Sequence, residues 1–124
     1  MKKVLVVDDE EDIRNFVKDI LEGEGFKVIP VGDGESAILN AFKKKPDVIL
    51  LDLMMPQMSG WEVLKLLKEN HETADIPVII LTCKGELKDK VMALQEGASD
   101  YITKPFSPQE LIDKVNAIME GEGK

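Results

Sequence analysis

Val4-Leu5-Val6-Val7-Asp8-Asp9-Glu10 is a short run of β-favouring apolar residues that stops abruptly on three acids. Three further stretches repeat the design. Val48-Ile49-Leu50-Leu51 runs into Asp52, Val78-Ile79-Ile80-Leu81 into Thr82, and Tyr101-Ile102-Thr103 into Lys104-Pro105. Short apolar runs without polar alternation read as strands covered on both faces, the pattern of a parallel sheet. An open parallel sheet binds its ligands just beyond the carboxyl ends of its strands. The four runs therefore predict that the carboxylates of Asp8, Asp9 and Asp52, the Thr82 hydroxyl and the Lys104 ammonium gather at one edge of one sheet. That set of groups suits a phosphoryl group and a divalent cation.

Between the runs lie helix-length segments. Ile13, Phe16, Val17, Ile20 and Leu21 form an apolar stripe at helical spacing, stopped by Gly23 and Gly25. Phe26 to Val31 reads as a further strand, and Pro30 within it places that strand at an edge, because proline has no N–H for a ladder. Asp33-Gly34 opens a second helix carrying Ala37, Ile38, Ala41 and Phe42, and Lys43-Lys44-Lys45 before Pro46 suits its carboxyl end. Ser59-Gly60-Trp61-Glu62 and Ser107-Pro108-Gln109-Glu110 have the form of capping boxes. The first opens a helix that buries Val63, Leu64 and Leu67, the second one that buries Leu111, Ile112, Val115, Ile118 and Met119. Leu87, Val91 and Leu94 predict a weaker stripe ending at Gly97, and Glu120 to Lys124 reads as an unstructured tail.

The pattern is α/β: five strands and five helices in strict alternation. Right-handed crossovers with the Pro30 strand outermost give a doubly wound sheet of order 2-1-3-4-5. The first and third strands are then neighbours at the switch point, which brings Asp8 and Asp9 beside Asp52. Residues 1–120 form one domain, and 121–124 are a tail or the start of a linker.

Composition sets limits on function. A chain of 124 residues with a net charge of −8 lacks the clustered cations that direct nucleic-acid binding needs. The amino-terminal apolar run is too short for a signal or membrane segment. The single cysteine, Cys83, cannot form an internal disulfide. Together these describe a cytoplasmic protein that does not enter a membrane. His71 sits in a polar loop as neither ligand nor base. Met54, Met55 and Met58 carry soft side chains that read as packing. Cys83 stands beside Thr82, which leaves thiol chemistry open.

Three clustered carboxylates repel: two unit charges about 4 Å apart cost roughly 4 kcal/mol at an effective dielectric near ~20. A hard cation relieves this, and carboxylate oxygens suit Mg2+. Asp52 could then attack phosphorus as a nucleophile, with Thr82 and Lys104 receiving phosphoryl oxygens.

With these residues in place the chain resembles a two-component response regulator receiver domain, of the chemotaxis-receiver type with a flavodoxin-like fold, over residues 2 to about 119. The resemblance rests on Val6-Val7-Asp8-Asp9-Glu10, on Asp52-Leu53-Met54-Met55-Pro56-Gln57-Met58-Ser59-Gly60, on Leu81-Thr82, and on Asp100-Tyr101-Ile102-Thr103-Lys104-Pro105-Phe106. Spacings of 43 residues from Asp9 to Asp52, 30 on to Thr82 and 22 on to Lys104 agree as well. The resemblance implies that Asp52 accepts phosphate from a sensor histidine kinase or phosphotransfer protein. It implies that Asp9, Asp52 and the Met54 backbone carbonyl ligate Mg2+, with Asp8 acting through water. Thr82 and Tyr101 become the switch, the Lys104-Pro105 peptide is cis, and the fourth helix, fifth strand and fifth helix signal to a downstream protein or output domain. The chain itself would be a signalling phosphoacceptor that catalyses only its own phosphorylation and slow dephosphorylation. Cys83-Lys84-Gly85 is the segment expected to move. Met54, two after Asp52, and Lys84, two after Thr82, flank the path of the hydrolytic water and tune dephosphorylation.

Other chemistries fit less well. A haloacid-dehalogenase-type phosphohydrolase needs Asp-x-Asp after the first strand, which Asp8-Asp9-Glu10 does not supply. A flavodoxin-like electron carrier wants Ser, Thr and Gly there, and three acids would repel a flavin phosphate. A phosphate-inert scaffold is the third alternative, separable by incubation with a phosphodonor. The chain also departs from the family: Ser59 stands where aspartate is common. Ser99, Asn116 and Glu120 replace charged residues of a frequent dimer face, although Lys90, Asp100 and Lys114 are kept. No output domain follows within 124 residues, which fits either a stand-alone regulator or part of a longer one.

Overall fold

The computed structural model describes residues 1–83 and 87–122. Five strands, β1 (Lys3–Val7), β2 (Lys27–Val31), β3 (Val48–Asp52), β4 (Val78–Cys83) and β5 (Asp100–Lys104), form one parallel sheet in the order β2-β1-β3-β4-β5. Burial follows that order. Every residue of β3 is buried, as are four of the five in β1, whereas β2 and β5 bury one residue each. Pro30 lies on the edge strand opposite Val6, where its missing N–H leaves no ladder bond unmade.

Alternation along the central strands divides two cores. Val4, Val6, Val48, Leu50, Ile79 and Leu81 pack against α1 (Glu11–Gly23) and α5 (Pro108–Glu122), through Val17, Leu21, Leu111 and Val115. Leu5, Val7, Ile49, Leu51, Val78 and Ile80 pack against α2 (Gly34–Lys44), α3 (Gly60–Glu69) and α4 (Leu87–Gln95). Leu5 and Ile80 are completely buried; burying such a side chain stabilises by about 1.5–3 kcal/mol, so the sheet centre holds the edge residues in place.

Of the two expected capping boxes, the one at Ser107 forms in full and the one at Ser59 only in its serine half. Asp33 accepts from the Ser36 N–H at 2.8 Å and Ser59 from the Glu62 N–H at 3.4 Å. Ser107 and Glu110 make both halves of a box, at 3.1 and 3.3 Å. Gly60 is required by space: a Cβ there would be driven into the Asp52 carbonyl oxygen and the Leu53 Cα, so only glycine lets α3 start against the end of β3.

Four expectations need correcting. The stripe expected to seat α4 is turned outward, with Val91 48% and Leu94 44% exposed, while Ala93 meets the sheet instead. A small residue allows the helix close approach, and spacing alone does not say which face points inward. Phe16 is likewise exposed, although its ring lies 5.8 Å from that of Phe106. Met54 does not pack in the core; it is 69% exposed, whereas Met55 is buried and Met58 covers Gly34. Finally, α5 continues through Glu122, because extending a formed helix adds one bond per residue fixed and tolerates Gly121 near its end. Lys84, Gly85 and the Leu87 side chain lie outside the described residues, as do 123 and 124.

Candidate functional site

Register builds the site. Val7 pairs with Leu51, Asp52 with Leu81, Thr82 with Thr103 and Cys83 with Lys104, so the polar residues that follow each apolar run emerge side by side. Among the described residues, Asp8, Asp9 and Asp52 are the group of acids able to hold a cation, offering oxygens within 4.8 Å of one another. Asp8 and Asp52 are buried, and Asp9 is exposed.

Lys104 is the internal counter-charge, and its preference is informative. Its Nζ stands 2.8 Å from Asp8 Oδ2, but 3.7 Å from Asp52 and 3.8 Å from Glu10. The Lys104-Pro105 peptide that ends β5 is cis. Burial opposes the Lys104 charge. The hydrogen bond to Asp8 and the fields of Asp52, Asp8 and Glu10 outweigh it and raise the ammonium above its ordinary range. Asp8 also accepts the Glu10 N–H at 3.0 Å.

Asp52 is less well compensated. Its Oδ1 accepts the Met54 N–H at 3.1 Å. Burial, followed by the field of Asp8, pushes its carboxyl up to about 6, with a smaller push from Asp9; Lys104 and the Met54 bond pull only partly the other way. An oxygen-only cluster whose central carboxylate is desolvated and short of positive charge fits a hard divalent cation. It also fits a nucleophile kept from full solvation.

Thr82 Oγ1 is buried without a hydrogen-bond partner among the described residues. The residue borders a cavity of about 70 Å3 together with Leu53, Met54, Cys83 and Asp89. An unsatisfied buried hydroxyl costs on the order of 1–3 kcal/mol, so this group is poised to gain by meeting an acceptor. Tyr101 is half-buried on β5, with the Lys90 and Lys114 ammoniums 4.8 and 5.2 Å from its ring centre. Lys114 also grips both oxygens of Asp100, at 3.0 and 3.1 Å. Larger clefts of about 390 and 410 Å3 lie elsewhere, one around His71 at the amino ends of the strands and one beside Leu39 and Pro56. Among the described residues, neither is lined by acids close enough together to share a cation.

Sequence reading missed three contributors: Glu10, near Lys104; Asp89, which borders the Thr82 cavity; and Arg14, which donates to the Asp8 carbonyl at 2.8 Å. The available signal was that Arg14 is the only arginine of the chain and follows the acids by less than two helical turns.

Comparison with known proteins agrees with this geometry. A family model described as the response regulator receiver domain matches residues 4–116. The chain is 47% identical over 118 residues to the phosphate regulon transcriptional regulatory protein PhoB of Escherichia coli, covering 95% of this chain and 52% of that protein. It is 48% identical over 118 residues to the alkaline phosphatase synthesis transcriptional regulatory protein PhoP of Bacillus subtilis, covering 95% and 48%. The chain thus spans about half the length of these curated relatives. Among solved structures, the Francisella response regulator 1452 receiver domain superposes with a TM-score of 0.90 at 37% identity, covering 98% of this chain and 99% of that one. The chemotaxis protein CheY4 of Vibrio cholerae gives 0.89 at 33% identity, covering 95% and 98%.

Proposed function

This chain belongs to the response regulator receiver domain family, and from that premise we propose that Asp52 is its phosphoacceptor, served by Thr82, Lys104 and a Mg2+ ion. The family makes it a signalling phosphoacceptor of a two-component system, not a conventional enzyme. The observation that carries the residue assignment is the convergence of Asp8, Asp9 and Asp52 within 4.8 Å, with Lys104 3.7 Å from Asp52.

Asp9, Asp52 and the Met54 carbonyl would hold the ion, and Asp8 would act through water. Mg2+ supplies charge neutralisation for the phosphoryl oxygens. The chain's own residues do the rest. The Asp52 carboxylate attacks phosphorus; the new O–P bond forms as the P–N bond of a phosphohistidine donor breaks, the nitrogen keeping that electron pair, and the donor ring, already protonated on its other nitrogen, leaves as neutral imidazole. Lys104 turns from Asp8 toward a phosphoryl oxygen, a move of small extent given that both carboxylates are already near its amine. Thr82 Oγ1 gains an acceptor at last. Its inward shift would vacate space for Tyr101, whose ring already packs against the α2–α4 side of the sheet. The α4–β5–α5 face would then change for its partner, and the outward Val91, Met92 and Leu94 support such a surface.

The donor would be a sensor histidine kinase or phosphotransfer protein. The recipient would be an output domain or a downstream protein acting in transcription, the activity named for the curated relatives. Residues 1–120 would be the receiver unit, with 121–124 leading out of it. The protein would work in the cytoplasm; none of the described helices is long and apolar enough to cross a membrane. Intact-mass measurement after incubation with acetyl phosphate and Mg2+ tests the reading. One phosphoryl group should be gained, lost with a chelator or in Asp52→Asn; gain in either case would overturn it.

A further inference from the structure

Asp8 and Asp9 are held differently. Asp8 is fixed at every polar atom: its N–H donates to the Val31 carbonyl at 3.2 Å, Glu10 and Lys104 take its two carboxylate oxygens, and Arg14 Nη1 donates to its carbonyl at 2.8 Å. The Asp9 carboxylate accepts no hydrogen bond among the described residues, so its place depends on the backbone that carries it. The carbonyl gripped by Arg14 belongs to the peptide group joining Asp8 to Asp9. That group is planar, so fixing its oxygen fixes the direction in which Asp9 leaves the strand.

Arg14 is itself braced. Its guanidinium lies over Gly32, where even a Cβ would stand 3.0 Å from Nη1. The side chain thus spans the turn after β1 and the turn after β2. It acts through geometry and not through charge at Asp52, whose carboxyl responds to burial, Asp8, Lys104, the Met54 N–H and Asp9.

We propose that Arg14 is a positioning residue: by clamping the Asp8–Asp9 peptide against the turn at Gly32, it sets the Asp9 carboxylate for cation binding. The inference rests on the metal-site reading above and adds a residue to it. Arg14→Met should weaken Mg2+ binding about ten- to a hundredfold, the usual penalty for losing a group that orients a ligand. Arg14→Lys, which keeps the charge and one donor but not the planar fork, should fall between Arg14→Met and the parent.

The test is calorimetric titration of metal-free protein with Mg2+ for the parent, both variants and Val115→Ala, a buried substitution in α5 away from the site. Unfolding stability is measured alongside. The expected result is a loss of affinity in Arg14→Met well beyond that of Val115→Ala, a shifted Asp9 amide resonance in the metal-free state, and recovery of the acetyl phosphate reaction at saturating Mg2+. Parent-like affinity in Arg14→Met, or a loss no larger than in Val115→Ala at matched stability, overturns the proposal while leaving the metal site standing. A parent that binds no Mg2+ overturns both. If Arg14→Met does not fold, Arg14→Lys decides by the same comparison.

Discussion

Removing the Asp52 charge should stabilise the metal-free protein, and the structure sets the size of the effect. Burial and the neighbouring acids raise the Asp52 carboxyl from an ordinary 3.8 to about 6. The folded chain therefore binds this proton more tightly than the unfolded chain does. Ionised Asp52 works against folding at pH 8, and the penalty is relieved as pH falls through about 6 toward 4. Two pKa units and a little more correspond to about 3 kcal/mol at pH 8, about 1.5 at pH 5 and under about 1 near pH 4. The attraction of Lys104, 3.7 Å away, is already included in that shift; the figure is an upper bound because the neutral asparagine amide is itself costly to bury. The asparagine oxygen can still accept the Met54 N–H. We expect a net gain of about 1–3 kcal/mol at pH 8. Urea unfolding followed by Trp61 fluorescence, in chelator and across pH 4 to 8, measures it. Equal or lower stability of Asp52→Asn at pH 8, or a gap that does not narrow toward pH 4, would refute the reasoning.

Mg2+ should raise the melting temperature of the parent, with stabilisation of about 2.7 kcal/mol at a hundred times Kd. Its affinity should fall as pH drops through about 6, because the ion must displace the Asp52 proton; pH-independent binding would count against Asp52 as a ligand. Gly60→Ala should lose about 2 kcal/mol or more, as its methyl meets the Asp52 and Leu53 backbone; a neutral result in urea unfolding would show that α3 can retreat. Met54→Asn combined with Lys84→Glu should shorten the life of the phosphorylated form by offering groups that orient water. Unchanged or slower decay in a phosphate-release assay would remove these two positions from the tuning role.

The fold was legible because each level of the sequence pointed the same way. Uniform apolar runs identified central strands, Pro30 marked the edge, and crossover handedness left one strand order that joined Asp8 to Asp52. The convergence of the acids followed from topology alone. What was not legible concerns direction and side-chain-to-backbone bonds. The α4 stripe has helical spacing whichever way it faces, and only packing shows that Ala93 turns inward. Arg14 reaches a carbonyl, and any residue type has one, so no pairing of residue types announces the contact. Lys104 could be placed near the acids from register, but its closer hold on Asp8, at 2.8 Å, than on Asp52, at 3.7 Å, is decided by packing.

The central claim is that phosphate enters this protein at Asp52, and the direct measurement is to locate it. Protein treated with acetyl phosphate and Mg2+ is reduced with borohydride, which converts an aspartyl phosphate to homoserine, and is then mapped by peptide mass spectrometry. The account predicts homoserine at position 52 and nowhere else. Conversion at Asp8 or Asp9, or phosphate that survives borohydride on a serine or threonine, would contradict it.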